Sequence, residues 1–191
     1  MNTLHAPAAS ILQFWFGDAP VARAEWFRKD PAFDALIAER FGALIEQALH
    51  GAFEAWADAP ESALAHLLLL DQFTRNVFRD TPRAFAGDAR ALAAARAMVA
   101  RGQDRALPPL RRAFVYLPYE HAEDRAAQRE SLALHAALVR DDPTLASQEA
   151  YAKRHAEIVE RFGRFPHRNL VLGRVSTDEE LAFLQQPGSS F

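Results

Sequence analysis

Between Asp30 and Leu49 the apolar residues Phe33, Leu36, Ile37, Phe41, Leu44, Ile45 and Leu49 recur at helical spacing. That periodicity continues along the chain with no convincing alternating run, which restricts the fold to packed helices. Asp30 stands where a cap residue accepts the first amide groups, and Pro31 takes the first helical position, where a missing N–H is harmless. Further helices are expected at about Ser10 to Phe16, Pro60 to Phe78, Asp88 to Arg101, His121 to Arg140 and Leu145 to Phe162. A last one follows Ser176 and Thr177, whose hydroxyls with Glu179 and Glu180 have capping-box spacing.

Asp80-Thr81-Pro82, Leu107-Pro108-Pro109 and Asp141-Asp142-Pro143 discourage helix continuation and read as connections, none long enough for an interdomain linker. The expectation is one all-α domain over residues 1–191, built of packed antiparallel helix pairs as an orthogonal bundle or a stacked array. The roughly 34-residue signature of tetratricopeptide repeats does not recur.

With no cysteine, disulfides, thiolate nucleophiles and Cys-ligated metals are excluded. Arg23 is the first basic residue and Ile11 to Phe16 is too short for the apolar core of a secretory signal, so a cytoplasmic protein is expected. His66 and Asp71 bracket the run Leu67 to Leu70, far short of the roughly 20 apolar residues a membrane span needs, and no membrane partner is expected. A net charge of −3 argues against nucleic acid as a partner. Charge is nevertheless uneven: from Tyr151 to Val175 six basic residues stand against two acidic ones. All basic residues except Lys29 and Lys153 are arginines, the side chain suited to carboxylate and phosphate recognition and equally a product of a GC-rich genome.

Polar residues on core-facing stripes carry the most information, because a buried polar group without a partner costs roughly 1 to 3 kcal/mol. With the helix after Glu120 rotated by about 100° per residue, Leu132 and Val139 share a face with His121, Asp124, Gln128 and His135. Glu120 lies at its edge and Glu123 points away. Tyr151, Ile158 and Phe162 turn His155 inward, and Asp71 and Arg75, four apart, lie on the side of Leu64, Leu67, Leu68 and Phe78. Asp71, Arg75, Asn76, His121, Asp124, Gln128 and His155 are therefore expected to converge on an internal pocket, joined by Arg164, His167 and Arg168 from the loop after Phe162. The bland alternative is a set of satisfied ion pairs that hold helix register. For the loop itself, Phe162, Phe165, Gly163 and Pro166 would shape either a rigid anion grip or a solvated basic turn.

Bundle metal sites use Glu-x-x-His supplied twice, whereas this chain has His121-x-x-Asp124 once, so no metal is assigned. Gly-rich phosphate loops and a Gly-x-Ser-x-Gly elbow are absent, and no cofactor is expected. Trp15, Trp26 and the Phe-rich first third read as core.

The segments Ile11 to Gly17, Trp26 to Asp34, Leu70 to Asn76, Pro82 to Asp88, Tyr116 to Asp124 and Arg161 to Asn169, in that order, resemble the bacterial domain-of-unknown-function family 924. The likeness runs from about Ile11 to Leu184 and implies a tetratricopeptide-like fold of paired helices, with no established activity. Family patterns usually carry Pro where this chain has Thr74, which implies a bent or broken helix there, and Ser where Ala122 stands. The leading functional expectation is a polar pocket for a small anion or a peptide carboxylate, gripped by Arg75, Arg164 and Arg168 and tuned by His121, His155 and His167. The alternatives are a hydrolase or lyase with Asp124 or Glu120 and His121 as acid and base, and a non-catalytic scaffold that engages a partner helix.

Overall fold

The computed structural model describes residues 5–19, 21–26 and 28–190. Among these residues there are helices and connections but no strand. The chain runs through α1 (Ala6–Phe16), α2 (Pro31–Leu49), α3 (Pro60–Leu67), a π-helical segment (Leu68–Phe73) and α4 (Thr74–Val77). It continues through α5 (Asp88–Ala100), α6 (Pro109–Glu120), α7 (Arg125–Asp141), α8 (Ala146–Phe162) and α9 (Asp178–Leu184), with short 3-10 turns between. Among the described residues no helix is long and apolar enough to cross a membrane.

In α2 the expected stripe is buried at Phe33, Ile37, Phe41 and Ile45, while Leu36 is exposed. The cap is as expected: Asp30 Oδ1 accepts the amides of Ala32 at 3.1 Å and Phe33 at 3.2 Å. α1, α3, the π segment and α6 enclose the main core, where Trp15 stacks on Trp26 with ring centroids 6.0 Å apart. α6, α7 and α8 pack against one another, and Ile158, Val159 and Phe165 form a smaller apolar cluster beside Phe162 and Phe183.

Two corrections to the expected elements have physical causes. The helix expected from His121 begins at Arg125, and α6, for which no helix was expected, precedes it. Residues 112 to 120 of α6 are all buried, and Pro118 stands inside the helix, a residue that in the sequence argues against helix continuation. Pro109 opens it at a position that needs no N–H. The helix from Pro60 does not run straight to Phe78, since it widens into a π turn that ends one residue before Thr74, where the family pattern places proline. There the Thr74 hydroxyl donates to the Leu70 carbonyl at 2.8 Å, and Arg75 Nη1 donates to the Asp71 carbonyl at 2.8 Å.

Candidate functional site

A cavity of about 720 Å³ opens between the π segment, the end of α6, α8 and the loop after it. Of the residues expected to converge, Arg75, Asn76, His121, His155, His167 and Arg168 line it, as does Glu120. Asp71 lies just behind the lining, 2% exposed, with Oδ1 accepting from His121 Nδ1 at 2.8 Å and Oδ2 from Gln72 Nε2 at 2.5 Å. Burial alone would raise the Asp71 carboxyl. The Arg75 guanidinium and His121 outweigh it and hold the group well below the usual carboxylate range. The proton on His121 Nδ1 follows from its carboxylate partner, which leaves the lone pair on Nε2. Burial, reinforced by Arg75 and Arg168, pulls the His121 pKa down against the attraction of Asp71, so the ring is neutral.

Wide turns inside α-helices mark functional sites often enough to direct attention here, and this one carries Asp71. Arg75, one turn on, sits 3.1 Å from Asp71 Oδ1 and 3.0 Å from Asp88 Oδ1. Asp88 opens α5 and was not anticipated. It is brought close because Gly87 meets the π turn directly: a Cβ on Gly87 would lie 2.1 Å from the Leu70 carbonyl oxygen. At the rim, Asn76 donates to Asp34 at 2.7 Å and Arg79 grips the same carboxylate through two nitrogens, tying the site to α2.

Arg168 is 6% exposed and held between two rings, with its guanidinium carbon 4.7 Å from the Phe85 centroid and 4.5 Å from that of Phe165. It donates to the His121 carbonyl at 3.0 Å and lies 3.4 Å from Asp88, a carboxylate already engaged by Arg75. Its Nε has no hydrogen-bond partner. Burial, with Arg75 next in effect, pulls its pKa down to about 10. His167, nearby on the same loop, is pulled down to about 4 by burial and by Arg168.

On the floor, Glu120 is 3% exposed. Its Oε1 lies 3.1 Å from His155 Nδ1, and its Oε2 stands 3.6 Å from His135 Nε2 with no hydrogen bond. Burial, then the Asp71 charge, pushes Glu120 up to about 8. His155, its Nδ1 also 2.9 Å from the Tyr151 carbonyl, is pushed down to about 3 by burial and by His121. Glu120, His121 and His155 each bring one ligand-type atom to within 4.8 Å of the others.

Three expected residues are elsewhere. Asp124 is exposed and caps α7 by accepting the Ala127 amide at 2.7 Å, because the helix starts after it rather than before. Gln128 is buried but does not line this cavity; its Nε2 donates to the carbonyls of Glu120 and Ala122, each at 2.7 Å, closing the end of α6. Arg164 turns to α9, where Nε and Nη2 bind Glu180 at 2.6 and 2.7 Å and Nη2 also reaches the Val175 carbonyl. Glu123, expected to point away, does not line the cavity and fastens the loop: Oε1 accepts the Phe165 amide at 2.7 Å and both oxygens bind Arg174. Of the two plates around Arg168, Phe165 was expected to shape the loop, whereas Phe85 was missed; only its place in a quoted motif hinted at it.

The model of a family described as a bacterial protein of unknown function, DUF924, matches residues 11–188. A solved protein of unknown function from Agrobacterium tumefaciens is 42% identical and superposes with a TM-score of 0.86, covering 94% of this chain and 97% of its own. No curated protein matches.

Proposed function

This chain belongs to the bacterial family of unknown function DUF924, and we propose that its cavity binds a small anion bearing a carboxylate or phosphate. The observation that carries this reading is Arg168: a guanidinium more than nine-tenths buried, flanked by two aromatic rings, facing a cavity with one N–H unpartnered and its nearest carboxylate shared with Arg75. A buried cation so lightly compensated is stabilised by an incoming anion. Arg75 and Arg168 are the anion-facing groups; Arg164, spoken for by Glu180, is not.

The test is thermal unfolding of the metal-stripped protein with and without inorganic phosphate and, separately, succinate. At least one of the two is expected to raise the melting temperature of the natural sequence and of Arg161→Ala, a surface control, and to leave Arg168→Gln unmoved. If neither anion stabilises the protein, or if Arg168→Gln responds like the natural sequence, the reading fails.

A second reading, acid–base chemistry on the bound anion as in a hydrolase or lyase, is favoured by one geometry. His121 is oriented by Asp71 at 2.8 Å, while Glu120 faces the same cavity. Glu120, not Asp124, is the carboxyl partner in this version. Glu120→Gln is expected to abolish any turnover found among small esters, amides and hydroxy acids while keeping anion-induced stabilisation. Undiminished turnover by that variant would refute it.

A further inference from the structure

Spacing along one helix offers no metal motif, but the fold gathers donors from two: Glu120 and His121 close α6, and His155 comes from α8. We propose that Glu120, His121 and His155 form a three-ligand site for a divalent first-row transition ion, with its remaining coordination positions open to the cavity.

Four observations support it. The first is proximity, since the three ligand-type atoms lie within 4.8 Å of one another. Ligands about 2.1 Å from a common ion stand roughly 3 to 3.5 Å apart, so small side-chain adjustments close the set. The second is the orientation of His121. Its Nδ1 donates to the buried Asp71 carboxylate, the carboxylate–histidine arrangement that fixes a ligating ring and presents Nε2 to the ion. Asp71 is itself held by Gln72 and Arg75, so this supporting contact is rigid.

The third is Glu120 Oε2, a buried carboxyl oxygen on the cavity wall with no hydrogen-bond partner, which an ion would satisfy. The fourth is charge. Around the cluster, Asp71, Asp88 and Glu120 face Arg75 and Arg168, so with the ionised carboxyl on the ion there is one negative charge in excess. Two imidazoles and one carboxylate favour Zn²⁺, Co²⁺ or Mn²⁺ over Mg²⁺ or Ca²⁺, which prefer all-oxygen sets. Ligation by Glu120 requires its carboxyl proton to leave for solvent as the ion enters.

The site stands apart from the anion reading, because ion uptake is measured without added anion and anion binding is measured on the stripped protein. The probe is Co²⁺ added to protein treated with chelator and dialysed. One ion per chain is expected, with visible absorption bands and displacement of the bands by Zn²⁺. Affinity is expected to fall at least about tenfold in Glu120→Gln, His155→Gln and Asp71→Asn and to stay unchanged in His50→Gln, an exposed histidine. In the unmutated protein, Co²⁺ is expected to shift the imidazole NMR signals of His121 and His155 and to leave those of His50 in place, a readout that no folding defect can imitate. No stoichiometric uptake, uptake that leaves the His121 and His155 signals unmoved, or equal uptake by natively folded cluster variants would overturn the proposal.

Discussion

Replacing Gly87 by alanine tests how closely the π turn and the start of α5 are locked. The Gly87 backbone has φ −89°, a conformation any residue adopts, so dihedral strain plays no part. Space is the whole issue. The added Cβ would stand 2.1 Å from the Leu70 carbonyl oxygen, 2.9 Å from its carbon and 3.0 Å from its Cα, against 3.4 Å for ordinary contact. Those atoms are backbone on a buried turn, so no side chain can rotate away and the two segments must part by roughly 1 Å. Overpacking typically costs about 1 to 3 kcal/mol, and with rigid backbone on both sides the upper end applies. In a chain of this size, about 3 kcal/mol lowers the melting temperature by roughly 6 to 12 °C.

Gly42 supplies the matched control. It lies in mid-α2 with nothing within 4 Å of a built Cβ, so Gly42→Ala removes only the helix penalty of glycine. That substitution is expected to stabilise by about 0.5 to 1 kcal/mol. Melting temperatures followed by far-ultraviolet circular dichroism should therefore move in opposite directions for the same chemical change. A Gly87→Ala protein melting within about 2 °C of the parent, less than 1 kcal/mol on this scale, would show that the contact yields and that the reasoning is wrong.

Two further predictions concern the loop that bears Arg168. The Glu180 carboxyl is held down at about 2, chiefly by hydrogen bonds from Arg164, with burial acting the other way. Its folded value is below its unfolded value, so its contribution to stability is complete above about pH 4.5 and is lost as pH falls toward 2. Urea unfolding at pH 6 and pH 3 should show a smaller acid-induced loss for Glu180→Gln than for the parent; equal losses would contradict the assignment. Glu123→Ala should strip the Phe165 amide of its acceptor and leave Arg174 only its bonds to Asn169 and the Phe165 carbonyl, at roughly 1 to 3 kcal/mol. Hydrogen exchange at Phe165 should then accelerate, and an unchanged rate would mean that the loop is held elsewhere.

What could be read before folding was whatever depends on local periodicity. The α2 stripe with its Asp30 cap, the Thr177–Glu180 capping box and the inward turn of His155 all follow from spacing within one helix. What could not be read depends on partners distant in the chain. Arg164 and Arg168 are both loop arginines four residues apart, yet one binds Glu180 and the other enters the cavity, and only the placement of α9 separates them. Asp124 was drawn onto a helical face by starting the helix four residues too early, since an N-cap and a first-turn residue have the same composition. α6 escaped because Pro108, Pro109 and Pro118 all read as helix breakers, although the first two stand at its start and the third lies inside it. Glu120 was thereby left at the edge of the wrong helix, although it is the deepest carboxyl on the cavity wall.

The π turn at Leu68–Phe73 holds one more residue per turn than the helices on either side of it. Shortening the chain by a single position within it would let α3 and α4 join as one regular rod, with Leu64 and Leu67 still seated in the core. Asp71 would swing away from His121 as the rod straightened. Removing one residue at this place would thus detach Asp71 from His121 while leaving the helical flanks in register.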